Sequence, residues 1–168
     1  MLMESFFGIL AGVIVLIAFI PYTLSILRGE TKPSRASWLI WFLMDVAVVL
    51  SYRAVGATDT LWIGVGLLSG STVVMVLSMF YGEGKLTRLE WLCLVGATLS
   101  TIAWVIAGPA IALFLYLIID TFAYAPTIQK AYANPESENK WAWSVTFTGV
   151  LVNLLAIPAI AWQSMDVG

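Results

Sequence analysis

Residues 17–38 read IAFIPYTLSILRGETKPSRASW, and residues 122–143 read FAYAPTIQKAYANPESENKWAW. The two stretches align without a gap at a constant offset of 105, which places Pro21 on Pro126. Each describes an apolar helix with a proline near its end, then a mostly polar loop, a basic residue, a tryptophan and a second helix. Chance can produce such matches in membrane proteins, whose loops are basic and whose interfaces carry tryptophan. The ungapped length favours an internal repeat.

Long apolar runs surround both stretches. Hydrophobic residues make up 61% of the 168 residues and charged residues only 11%, whereas a soluble domain carries roughly 25% charged residues. Residues 5–27 and 60–82 contain no charge, and a helix needs roughly 20 apolar residues to cross a bilayer. The composition predicts an integral membrane protein without a large soluble domain.

The charge pattern predicts six spanning helices. The second lies at residues 36–52 and the sixth at residues 141–165. Residues 91–129 are too many for one helix, and Gly108-Pro109 divides them into the fourth and fifth. The predicted fold is an all-α, six-helix transmembrane bundle with an internal repeat, in which helices 1 and 2 match helices 5 and 6.

Basic residues indicate the orientation of the helices. Seven of the eight lie in the first, third and fifth loops, and only Arg53 lies in the second. Because basic loops remain in the cytoplasm, both termini are predicted to lie outside a cell membrane. Helices 1 and 5 then run in the same direction, so the repeat is parallel. The predicted units are residues 1–82, a linker helix in residues 83–108, and an incomplete second unit in residues 109–168.

Several kinds of chemistry are excluded. Histidine is absent and Cys93 is the only cysteine, which leaves neither a metal site nor a Cys-His catalytic pair. No nucleophile, base and orienting group can be assembled, so the chain is not predicted to be an enzyme or to hold a cofactor. The slightly acidic net charge of −2 and the lack of a basic patch beyond the loops argue against nucleic-acid binding.

The paired prolines and loops resemble those of the PQ-loop superfamily, which includes the SWEET sugar transporters and the half-size SemiSWEETs. The resemblance covers roughly residues 10–55 and 115–160. It implies two three-helix units around a linker helix, and a solute path between the units. The residues after the prolines are Tyr22 and Thr127, where the family has glutamine. No seventh helix is predicted, so either that helix is dispensable or another subunit, of the same or a different chain, covers that face.

Two acids interrupt the predicted helices near their centres. A carboxylate at mid-span costs roughly 2.5–3.5 kcal/mol on insertion scales, so Asp45 and Asp120 are expected to face protein or a wet cavity. Tyr124 lies one helical turn after Asp120 on the same face. These side chains are candidates for solute binding or proton coupling. The alternative is a structural acid that is hydrogen-bonded to a neighbouring helix.

Tryptophans begin the second and sixth helices. Trp38 and Trp41 share a face with Asp45, and Trp143 shares the equivalent face of the sixth helix with Asn153. If the two faces meet, they line a polar path. The alternative is an aromatic belt at the membrane interface.

The prolines have two interpretations. A proline inside a helix removes a backbone donor and frees a carbonyl, so Pro21 and Pro126 are candidate hinges. The alternative is a static kink or a helix end at the interface.

The leading hypothesis is a transporter for a small solute, such as a sugar or an amino acid, that works by alternating access with or without proton coupling. Aromatic rings beside carboxylates and amides suit such solutes. The alternative is a non-transporting receptor or an accessory membrane subunit.

The predicted topology can be tested with a membrane-impermeant thiol reagent on a Cys93→Ser background. Cysteines introduced at Glu30 and Glu136 are expected to react only from the cytoplasmic side, and a cysteine at Asp59 only from outside. Reaction of position 136 from outside would reverse the fifth and sixth helices and exclude a parallel repeat.

Overall fold

The computed structural model describes residues 2–82 and 88–157. This part of the chain is mostly helical and contains no strand. Its α-helices are α1 Leu2–Leu27, α2 Arg35–Ala54, α3 Leu61–Tyr81, α4 Arg88–Ala107, α5 Pro109–Ala133 and α6 Lys140–Asn153. Short 3₁₀ turns lie on either side of α6, at Pro135–Ser137 and Leu154–Ala156.

Three helices are long and apolar enough to cross a membrane. They cover Met3–Leu27, Arg35–Ala54 and Leu61–Tyr81 among the described residues. Their ends fall within a few residues of those predicted from the charge pattern, because charged loops mark where apolar chain begins and ends. This much of the chain is compatible with membrane association.

The predicted break between the fourth and fifth helices is confirmed. α4 ends at Ala107 and α5 begins at Pro109, and Gly108 between them has a φ of 92°. Glycine adopts this left-handed conformation without a steric penalty. Proline fits the first position of a helix because the N–H that it lacks would have no intrahelical acceptor there.

The predicted extent of the sixth helix is wrong. α6 ends at Asn153, continues as one 3₁₀ turn, and gives way to extended backbone at Ile157, which has φ −76° and ψ 124°. The residue after Ile157 is proline, and a residue that precedes proline is driven out of the α region by a steric clash. The rest of the predicted sixth span lies outside the described residues.

The helices pack in a definite order. α3 lies against both α1 and α2, α6 lies against α1, and α5 lies against α2. α4 packs on α5 and, less extensively, on α2. The backbones of α5 and α6 do not approach each other within the described part, although the Tyr124 and Trp143 rings are in contact. The space enclosed by α1, α2, α3, α5 and α6 contains the candidate site.

Glycines set the separation of α1 and α3. A methyl group on Gly66 would lie 2.5 Å from the carbonyl oxygen of Gly12, and one on Gly12 would meet the backbone of Trp62. Gly70 packs directly against the ring of Phe19. Small residues allow two helix backbones to approach closely, as is typical of helix pairs in membranes.

The close approach of α1 and α3 predicts that two alanine substitutions lower the free energy of unfolding by different amounts. Gly66→Ala is expected to lower the free energy of unfolding by about 1–3 kcal/mol, because backbone cannot move away from the added methyl group. Gly96→Ala is the control, since its methyl group would lie 3.3 Å from the mobile end of the Ile119 side chain. Thermal unfolding in detergent measures both. Equal midpoints for the two variants would contradict the close α1–α3 contact.

Candidate solute-binding cavity

A cavity of about 120 Å³ lies between the helices, next to the predicted cytoplasmic ends of α1, α2 and α6. Five helices contribute to it, and two of its lining residues, Asp45 and Asp120, lie near the middle of α2 and α5. The lining includes Phe19 and Tyr22 from α1, Trp38, Trp41 and Asp45 from α2, Leu67 and Ser71 from α3, Asp120 and Tyr124 from α5, and Trp143 and Thr146 from α6.

Aromatic rings form most of the cavity wall. The Trp38 and Trp41 ring centroids are 5.0 Å apart, and Tyr22 lies 5.2 Å from Trp38. Trp41 also contacts Tyr124 at 5.3 Å and Trp143 at 5.9 Å. These spacings and the tilted or edge-to-face orientations are those that aromatic pairs prefer. The rings therefore hold one another in place across four helices.

Burial separates the tryptophans into two groups. Trp38 and Trp41 are 6% and 8% exposed, whereas Trp62 and Trp141 are 47% and 80% exposed. An interfacial belt requires rings that face outward, so this interpretation fits the second group and not the first.

Two carboxylates share the cavity with the rings. Asp45 lies beside the Ser71 hydroxyl on α3, Asp120 lies beside the Trp41 indole, and the two acids are close enough to interact electrostatically. None of the lining side chains that the structure describes is basic. The cavity thus combines two acids with apolar and aromatic walls, and it offers no counterion of its own.

One buried donor in the cavity wall has no partner. The Nε1–H of Trp41 makes no hydrogen bond to any described residue, although Asp120 is near its ring. A buried donor without an acceptor costs roughly 1–3 kcal/mol. A solute oxygen, a water or a small shift of Asp120 would satisfy it.

Most of the predicted site residues meet in this cavity. The lining contains Trp38, Trp41, Asp45, Asp120, Tyr124 and Trp143. Asn153 does not line it, because it lies at the last position of α6, with a buried Oδ1 that has no hydrogen-bond partner among the described residues. α1 is continuous through Pro21, and α5 is helical at Pro126, whose side chain lies outside the description.

The sequence interpretation did not assign several lining residues to the site, Phe19 and Thr146 among them, and it missed Glu138 next to the cavity. Phe19 and Thr146 could have been found from the repeat, since they lie at the 105 offset from Tyr124 and Trp41. Glu138 carries no such signal, because it lies in a polar loop and reaches the cavity wall only through the tertiary fold.

Glu138 ties two cavity rings together at the predicted cytoplasmic side. Its Oε2 accepts hydrogen bonds from the Trp143 Nε1–H at 3.1 Å and from the Tyr22 hydroxyl at 3.3 Å. The next residue, Asn139, donates from Nδ2 to the Pro21 carbonyl at 3.3 Å. The loop before α6 is therefore fastened to α1.

A second cavity of about 400 Å³ lies on the loop side of these rings. Glu138, Ile128 and Lys140 are among its lining residues, and it shares Tyr124 and Trp143 with the first cavity. The shared rings form the partition between the two cavities. Movement of this partition would join the inner cavity to the predicted cytoplasmic surface.

The Glu138 contacts predict a change in access. On a Cys93→Ser background, Glu138→Ala is expected to raise the rate at which a thiol reagent modifies Thr146→Cys from the cytoplasmic side. The increase should be about 10-fold or more, because the substitution removes two hydrogen bonds to a charged group. Glu136→Ala is the control, because that side chain is exposed and pairs only loosely with Lys140 at 3.9 Å. An unchanged rate in the Glu138 variant would show that these bonds do not close the cavity.

The cavity is lined by groups suited to contact with a small molecule. Its described lining supplies aromatic faces, two carboxylates, hydroxyl groups and one unpartnered indole donor. The described residues include no group of three or more potential metal ligands. Neither a protein-family model, nor a characterised protein, nor a solved structure matches this chain.

Proposed function

We propose that this chain is an integral membrane protein that transports a small solute by alternating access. The observation that carries the proposal is the cavity with two carboxylates at mid-helix depth. Intramembrane acids that face a cavity mark solute and proton pathways, and transporters with internal repeats bind their solutes near the bilayer midplane, between the repeats.

The pairing of lining residues supports a repeat around the cavity. Three pairs of lining side chains are separated by the 105 offset, namely Phe19 and Tyr124, Trp38 and Trp143, and Trp41 and Thr146. Equivalent residues meet in this way when a pseudo-twofold axis passes through the cavity.

The helix starts and helix contacts agree with the same axis. Ser34 caps α2 and Asn139 caps α6, again at the 105 offset, each through its side-chain oxygen. An axis that relates α1 to α5 and α2 to α6 makes the α1–α6 contact equivalent to the α2–α5 contact, and both are present.

The remaining parts of the proposal follow the PQ-loop resemblance. Both termini lie outside the cell membrane, and Pro21 and Pro126 act as hinges for the cytoplasmic ends of α1 and α5. The Asn139 side chain donates a hydrogen bond to the Pro21 carbonyl and so connects Pro21 to the loop whose Glu138 holds the Trp143 ring. This connection supports a role for the Pro21 region in closing the cytoplasmic side of the cavity.

A receptor or an accessory subunit of the same architecture is the second candidate. Its support is that α5 and α6 lack close backbone packing in the described part, whereas α3 fills the corresponding place between α1 and α2. A helix of a partner or of a second copy would fit there. Uptake by the purified chain alone separates this candidate from a transporter.

The test of the proposed function is solute uptake into proteoliposomes. The intact chain is expected to take up at least one of glucose, alanine and choline. Asp45→Asn and Asp120→Asn should each reduce that uptake by a factor of about 10 or more, since each removes a charge from the cavity at nearly constant shape. If uptake depends on a pH gradient, that dependence should be lost as well.

Glu136→Gln is the matched control, because it removes an exposed acid outside the inner cavity. Thermal unfolding verifies that the variants remain folded. Uptake of none of the three solutes by the intact chain would favour the receptor or accessory role. Full uptake and an unchanged pH response in both Asp variants would leave the acids with a structural role.

A further inference from the structure

The charge of the cavity limits the solutes that it can hold. Asp45 and Asp120 both line it, and the described lining contains no lysine or arginine. The chain has no histidine at all. A solute that carries a carboxylate would bring a negative group into a site that already holds two acids and has no positive partner, which is costly where water is largely excluded. A positively charged solute would instead neutralise an acid that is already there.

The rings supply the rest of a cation site. Trp41 contacts Trp38, Tyr124 and Trp143 at centroid distances of 5.0–5.9 Å, and all four rings line the cavity. The face of an aromatic ring attracts a cation through its quadrupole, most strongly for tryptophan. Clusters of such rings recognise quaternary ammonium groups, which lose little hydration when they enter an apolar site.

The cavity volume sets the size of the charged group. A cavity of about 150 Å³ is known to accept benzene, which has six carbon atoms, so 120 Å³ has room for about five non-hydrogen atoms. A tetramethylammonium ion has that size. A whole sugar ring with its hydroxyl groups does not fit without enlargement.

We propose that the solute of this cavity is a compact organic cation, an alkylammonium head without a carboxylate, held between the aromatic rings and the two acids. The proposal rests on the proposed function only in calling the ligand a transported solute. Binding itself is independent of transport. The proposal narrows the expected solute from a sugar or an amino acid to an organic cation.

The test uses the purified full chain in an uncharged polyoxyethylene detergent, which contains neither choline nor sugar. Isothermal titration calorimetry compares tetramethylammonium, choline, glucose, alanine and sodium chloride. It also includes dimethylbutanol, the neutral isostere of choline in which carbon replaces nitrogen. Tetramethylammonium and choline are expected to bind at least tenfold more tightly than dimethylbutanol, glucose or alanine. Sodium at the same concentration should not displace them.

Matched variants locate the binding. Asp45→Asn and Asp120→Asn should each weaken tetramethylammonium binding at least tenfold, and Glu136→Gln should leave it unchanged. Trp41→Leu should weaken binding to a similar extent, whereas Trp41→Phe retains a ring and should stay within threefold of the intact chain. Trp141→Leu is the control for loss of a tryptophan, because that ring is almost fully exposed. The comparison of choline with dimethylbutanol needs no variant, so it stands even if a substitution prevents folding.

The outcomes separate this inference from the proposed function. Binding of glucose, alanine or dimethylbutanol as tight as that of tetramethylammonium would overturn the cation site and leave a transporter for another solute. Equal competition by sodium would overturn the organic class. Tight tetramethylammonium binding without uptake of any solute into proteoliposomes would support the cation site and overturn the transporter.

Discussion

A carboxylate in the middle of an apolar helix is stabilised only where protein or water replaces the surrounding lipid. Asp45 and Asp120 meet this constraint by facing the same cavity from α2 and α5. Their placement fixes how both helices are rotated about their axes. Residues one turn away must then face inward as well, and this brings Trp41 beside Asp120 and carries Tyr124 into the wall. The acids therefore determine the rotational position of the aromatic residues in addition to their own.

The two sides of the cavity differ in how firmly they are built. On one side the backbones of α1 and α3 are in direct contact through Gly12 and Gly66, and Gly70 receives the ring of Phe19. Ser71, the residue after Gly70, lies beside Asp45 in the cavity. On the other side α6 packs along α1 and α5 packs along α2 and α4, but the backbones of α5 and α6 do not approach each other within the described chain. The contact between these two helices is made by the Tyr124 and Trp143 rings. A ring contact is weaker than close backbone packing, so relative motion is expected between α5 and α6 more than between α1 and α3.

Physical rules that act along the chain explain what the sequence could predict. Apolar runs between charged loops predict the ends of α1, α2 and α3, because a charge in lipid is costly wherever the rest of the chain folds. The cost of an intramembrane acid likewise identified Asp45 and Asp120. Contacts that depend on the tertiary fold could not be predicted from the sequence. Glu138 has no marked local context. Asn153 shares the α6 face of Trp143 but lies ten residues further along the helix, about 15 Å at 1.5 Å per residue, beyond the cavity.

The offset of 105 relates four of the six cavity rings to one another, as Phe19 with Tyr124 and Trp38 with Trp143, but it does not relate the acids. The position equivalent to Asp45 is Val150, and the position equivalent to Asp120 is Val15. In the proposed transporter the repeat thus supplies a similar aromatic frame from each unit, while each unit adds one acid at its own place. A cation bound between the two acids, as proposed, would interact with both of them most strongly when the units are close. Such a ligand would favour a closed form over an open one, and a difference of this kind in ligand affinity is what couples binding to a conformational change.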